Sequence, residues 1–259
     1  MKPFTRHILL AISITVMLAY ISTFLGISAK KRSEAVCTGL KVCITDSARN
    51  SFVTSDEICR YISSELGEVT GRPLGEVDLT HIETLVDARS AVLKSEAFVT
   101  GDGYLNINVT QREPVIRFQG RDGGFYVDRD GYIFPLQSSF TSDVTIIDGY
   151  IPVHLPSGYK GMAEKEDDRE WIDGIMEMVG YMDDGIWADI IVQISVGKDG
   201  DIIMVPRSGG EKFIFGDTGN FEDKFCRMEK YYTAIRPARK DAGYSYVNVK
   251  YDGQIICRR

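Results

Sequence analysis

A chain of 259 residues, 44% hydrophobic and 26% charged, has material for one large folded domain or two small ones. The first 32 residues carry five cations and no anion, so the formal charge of −7 leaves −12 on residues 33–259. A body this acidic argues against nucleic acid or anionic lipid as its partner. The five cysteines are odd in number and lack CxxC spacing, which disfavours a zinc site. Cys43 and Cys59 fall at apolar positions and are expected to be buried free thiols. A disulfide from Cys37 stays open for an exported body.

Residues 8–29 contain no charged side chain. As a helix this run reaches about 33 Å, against a hydrocarbon core of about 30 Å. A signal peptide has a shorter apolar region, and Ile27 at the −3 position before a cut at Ala29 suits cleavage poorly. The run therefore predicts an uncleaved single-pass anchor. Lys2 and Arg6 precede it and Lys30, Lys31 and Arg32 follow it, a balance that leans towards a cytoplasmic body.

Beyond the anchor, residues 40–46 alternate and predict a strand. Thr54-Ser55-Asp56-Glu57 is a capping box for a first helix, with Gly67 at its end. Asp78 caps a second helix with Leu79, Ile82, Leu85 and Val86 inward. Residues 91–100 and 104–112 predict two strands joined by Gly101-Asp102-Gly103, a hairpin signal. The unit is β-α-α-β-β, a sheet with helices on one face.

After Pro114 the texture changes. Short strands are predicted at 115–119, 125–128, 132–136 and 144–148, between glycine turns. Residues 164–169 form a charged helix start, and Trp171, Ile175, Met178, Val179 and Met182 follow at helical spacing as core. Strands return at 188–196, 202–205 and 211–215. Phe221, Phe225, Met228, Tyr232 and Ile235 mark a further helix. The chain closes with 244–251, a turn at Asp252-Gly253, and 254–257. Tyr246, Asn248 and Lys250 alternate with Val247, Val249 and Tyr251, and this late strand is expected at a sheet edge. Tyr251 is either an exposed anchor there or a core residue packed on the 221–235 helix.

Chemistry is sparse. His7 abuts the anchor, His81 sits in a capped helix, and His154 is a lone loop histidine. Asp128-Arg129-Asp130-Gly131 lacks the later acidic ligand of a calcium loop and reads as a turn. Gly120-Arg121-Asp122-Gly123-Gly124 has no GK[ST] for phosphate. Asp183-Asp184 has no opposing carboxylate for glycoside chemistry. No enzyme, cofactor or metal is expected.

The order of parts resembles the FtsQ/DivIB cell-division family. The marks are Phe52-Val53-Thr54, Gln111-Arg112-Glu113-Pro114-Val115, Phe125-Tyr126-Val127-Asp128 before Gly131-Tyr132-Ile133-Phe134-Pro135-Leu136, and Val249-Lys250-Tyr251-Asp252-Gly253. The wording is similar to the version found in Bacteroidetes-type bacteria. The resemblance implies an α+β chain: a cytoplasmic tail at 1–7, a transmembrane helix at 8–29, a POTRA domain at 30–112, and a mixed β-sheet domain with flanking helices at 113–259. Arg112, Glu113 and Pro114 mark the domain junction. The resemblance also implies a body outside the cytoplasmic membrane, which overrides the flanking charges. It implies a non-enzymatic scaffold at the septum that binds FtsB- and FtsL-like proteins and, through them, the septal peptidoglycan synthases. Docking by strand addition falls on Lys250, Tyr251 and Gly253, with Gln254, Ile255 and Ile256 beyond. Lys250 stands where the family often has Arg, which puts that contact in question. A POTRA-type chaperone module for outer-membrane or secreted proteins is the alternative, and an anchored cell-wall enzyme the third reading.

Overall fold

The computed structural model describes residues 12–23, 35–46, 50–120, 123–238 and 243–259, in two compact units, Met1–Gln111 and Arg112–Arg259. Residues 12–23 are helical and their apolar side chains are exposed. Among the described residues no helix is long and apolar enough to cross a membrane. The rest of the expected 8–29 span lies outside the described residues.

In the first unit, α1 (Ser55–Leu66) starts from a reciprocal cap. Thr54 Oγ1 accepts the Glu57 N–H at 3.3 Å, and Glu57 Oε2 accepts the Thr54 N–H at 2.9 Å. These bonds satisfy donors that a bare helix start leaves orphaned. α2 (Leu79–Asp87) is capped by Asp78, which accepts the His81 N–H at 3.0 Å. Both helices turn isoleucine and valine inward: Ile58 and Ile62 from α1, Ile82 and Val86 from α2. They serve a sheet in the order β1-β3-β2. β1 (Gly39–Ile44) runs parallel to β3 (Tyr104–Gln111), and β2 (Val92–Val99) runs antiparallel to it. Central β3 alternates with period two, burying Leu105, Ile107, Val109 and Gln111. The observed order is the expected β-α-α-β-β.

Cys43 departs from expectation. It is exposed, because it shares the outer face of β1 with Lys41, two residues away. Cys59 is only half-buried beside inward-facing Ile58, whereas Cys37 is fully buried. All five cysteines are free thiols.

The second unit is a nine-stranded sheet in the order β12-β11-β10-β9-β8-β7-β4-β5-β6. Its strands are β4 (Pro114–Gly120), β5 (Gly123–Asp128), β6 (Ile133–Pro135), β7 (Thr145–Gly149), β8 (Ile191–Val196), β9 (Ile202–Pro206), β10 (Lys212–Gly216), β11 (Tyr246–Asn248) and β12 (Ile256–Arg258). The pairs β4/β7, β7/β8 and β10/β11 are parallel and the others antiparallel. Ile116, Phe118, Ile147, Ile194, Met204, Phe213 and Phe215 form a core with α3 (Glu166–Asp183) and α5 (Phe221–Lys230). α3 contributes Ile172, Ile175, Met178, Val179 and Met182, while Trp171 lies half-buried against Phe118.

Two expectations fail here. Residues 188–190 are not strand: Trp187–Ile190 forms a helical turn, α4, which places buried Trp187 against Phe225 at 5.3 Å. Residues 244–251 do not make the sheet edge, because the strand there is Tyr246–Asn248 and β11 lies between β10 and β12. The reversal at 251–254 is the cause. Gly253 takes φ 66°, Gln254 donates to the Tyr251 carbonyl at 3.3 Å, and the last residues return antiparallel along β11. A left-handed φ at this position favours glycine. The edge is therefore β12.

Candidate docking edge

Among the described residues β12 pairs with β11, in the register Tyr246↔Arg258, Val247↔Cys257 and Asn248↔Ile256. In general, a strand at the end of a sheet order presents backbone groups that another strand can pair with. At the opposite end of the sheet the edge is partly closed. Ile133 on β6 exchanges two backbone hydrogen bonds with Gly161, at 2.9 and 3.0 Å.

Three exposed apolar side chains lie around β12, Tyr251 at 51%, Ile256 at 48% and Tyr246 at 42%, together with exposed Arg258 and Asp252. Tyr251 is therefore not packed into the 221–235 helix. Ile255 is half-buried against the core, and Gln254 is exposed. The backbone leading to Tyr251 is fixed at each step. Val249 donates to the Ile214 carbonyl at 3.0 Å, and Lys250 donates its N–H to Asn248 Oδ1 at 2.9 Å. Lys250 Nζ bonds Asp201 Oδ1 at 2.6 Å, an acceptor that raises the ammonium's pKa above its ordinary value. Its stem lies across Gly216 (φ 87°), where an added Cβ would stand 2.7 Å from Lys250 Cγ. The two ends of the expected site differ in role: Tyr251 and Ile256 offer side chains, whereas Lys250 is already engaged within the fold.

Arg112, Glu113 and Pro114 open the second unit. Arg112 Nη1 donates to Asp128 Oδ2 at 2.7 Å, both side chains nearly buried, and its guanidinium stacks 3.4 Å over Tyr132. Asp128 Oδ1 accepts the N–H groups of Asp130 and Tyr132. The Asp128-Arg129-Asp130-Gly131 segment is thereby a closed turn. Glu113 stands 3.9 Å from Arg129 at the surface, and Pro114 opens β4 opposite Asp128.

Two buried polar groups escaped the sequence. Gln111 ends β3 and ties down the chain before α1. Its Nε2 donates to the Asn50 carbonyl at 2.7 Å and its Oε1 accepts the Val53 N–H at 2.9 Å. Its place on the inward phase of β3 was the available signal. Lys224 is buried on α5, where it donates to the Asp217 carbonyl at 2.9 Å and to Asp217 Oδ1 at 2.5 Å. It stands three residues after Phe221 and four before Met228, so it shares their face.

A cavity of about 670 Å³ lies at the ends of β4 and β7, lined by Gly123, Gly124, Phe125, Tyr150, His154 and Tyr159 among others. His154 is exposed there, and its Nδ1 lies 2.8 Å from the Pro152 carbonyl, which only accepts, so that nitrogen carries the proton. Among the described residues no group of three or more histidine, cysteine, aspartate or glutamate side chains is placed to hold a metal ion.

The chain combines a β-α-α-β-β unit with a nine-stranded mixed sheet and its packed helices. Residues 35–110 match the POTRA-like domain, and residues 113–258 match the family described as FtsQ/DivIB, C-terminal related. That second match spans more than half of the chain, and the protein belongs to the FtsQ/DivIB family of cell-division proteins. No curated protein matches the sequence.

Proposed function

We propose that this chain is a non-enzymatic scaffold of the bacterial division machinery, anchored by residues 8–29 with its body outside the cytoplasmic membrane. It takes an extended segment of an FtsB-like protein along β12 and, with an FtsL-like protein, acts on the septal peptidoglycan synthases. The open β12 edge beside exposed Tyr251 and Ile256 carries this reading. Main-chain pairing along an edge supplies affinity, and neighbouring side chains supply selectivity. Lys250, Tyr251, Gly253, Gln254, Ile255 and Ile256 form the contact segment, with Gly253 setting the turn.

Full-length protein in detergent, mixed with the extracytoplasmic segment of the same bacterium's FtsB-like protein, tests this directly. The expected result is a complex that Ile256→Asp weakens while the melting temperature holds. A complex indifferent to that substitution contradicts the proposal. For topology, added protease should digest the body in cells with a permeabilised outer envelope. Protection there, with a periplasmic control digested, contradicts an external body.

A further inference from the structure

The turn that displays Tyr251 rests on a buried cation. Arg227, on α5, is 7% exposed, and its Nε donates to the Val249 carbonyl at 2.9 Å. That bond holds the Val249 carbonyl while Ile214 holds the Val249 N–H. Arg227 Nη2 is also buried but has no hydrogen-bond partner among the described residues. It faces Asp252 Oδ1 at 3.7 Å, and the Asp252 side chain is 80% exposed. The neighbouring cations differ: Lys224 is bonded to Asp217, and Lys250 to Asp201.

A guanidinium brings five donors, and a buried donor left unmade is unfavourable. At 3.7 Å with water around Asp252, the pair is weak. Removal of that water lowers the local dielectric and strengthens the same pair. Asp252 belongs to the Tyr251–Gln254 reversal that leads into β12, next to the segment proposed for docking.

We propose that Arg227 is the positioning residue of the docking edge and that Asp252 is its binding-coupled acceptor. Nε fixes the turn in the free protein, and Nη2 closes on Asp252 when an extended partner segment docks. This rests on the β12 docking reading for the coupling, whereas the positioning of the turn stands without it.

The test uses full-length protein in detergent and the FtsB-like segment as probe. Arg227→Met keeps the stem and removes the guanidinium donors. Amide exchange at residues 250–254 should quicken in that variant while the rest of the β-domain stays protected, and Arg227→Lys, which keeps a cationic donor group, should restore it. Partner binding should weaken about tenfold or more in Arg227→Met. Asp252→Asn should weaken binding about threefold in the parent and not at all in the Arg227→Met background. Unchanged exchange at 250–254 overturns the positioning role. An equal Asp252→Asn effect in both backgrounds overturns the coupling. If the parent binds no FtsB-like segment, the docking reading and the coupling both fail, and the exchange measurement still decides the positioning role.

Discussion

The β2 edge of the first unit and the β12 edge of the second are opposite solutions to one problem. A sheet edge exposes backbone groups that invite another strand. On β2, Glu83 Oε1 accepts the Ala97 N–H at 2.7 Å. Ser95 on the same strand donates to Asp87 Oδ1 at 2.7 Å, and Lys94 and Glu96 add charge. α2 thus guards β2 with carboxylates. β12 is only three residues long, has an exposed isoleucine, and stands beside an exposed tyrosine turn. The contrast teaches that strand exposure alone does not make a docking site. What distinguishes the proposed docking edge at β12 is the exposed apolar pair Tyr251 and Ile256 beside a hydrogen-bonded backbone turn.

The largest way to break this contrast is to remove the support of the second sheet. Phe225 is buried and stacks on Phe215, Trp187 and Tyr181. Phe225→Ala should destabilise the β-domain by about 3–5 kcal/mol, measured by chemical denaturation, with the signal of the first unit unchanged. A loss below about 1 kcal/mol would place Phe225 outside the core that supports β12.

Tyr251→Ala sharpens the contrast by leaving the fold intact. Binding of the FtsB-like segment should fall by about 2 kcal/mol or more with no shift in melting temperature, read by calorimetry on the same sample. Unchanged affinity in the folded variant removes Tyr251 from the interface.

Glu83→Ala should open the guarded edge. The Ala97 amide should exchange faster, stability should fall by about 1 kcal/mol, and self-association should rise in sedimentation. If Ala97 exchange is unaltered, Glu83 is not the guard.

The smallest effect concerns acid. The Lys224 ammonium holds the Asp217 carboxyl below its ordinary range. Between that depressed value and the ordinary one near 3.9, the unfolded chain binds more protons, so stability rises with pH. The contribution is complete above the ordinary value and is lost as pH falls through the depressed one. The stability gap between parent and Asp217→Asn should be constant near neutral pH and close below about pH 4. A gap independent of pH removes this ion pair from the account.

Much of the fold was legible because it is written locally. The Thr54–Glu57 cap, the inward phase of β3 and the Gly101–Gly103 turn each need only neighbouring residues to be read. What was hidden depends on distant partners. β11 reads as a terminal edge until the chain reverses at Gly253 and lays β12 over it. Residues 188–190 leave the predicted strand because Trp187 reaches Phe225, 38 positions on. Arg227 carried no sequence signal of burial, since its partner Val249 lies 22 residues later. The proposed docking segment, Lys250, Tyr251 and Gly253 to Ile256, came from the family resemblance. Its geometry was not, because strand pairing is set by contacts that sequence spacing does not encode.

The central claim is tested most directly by hydrogen exchange on the full-length protein with and without the FtsB-like segment. The account predicts new protection at Tyr251–Arg258 with β2 unchanged. Protection at β2, or none at β12, would contradict it.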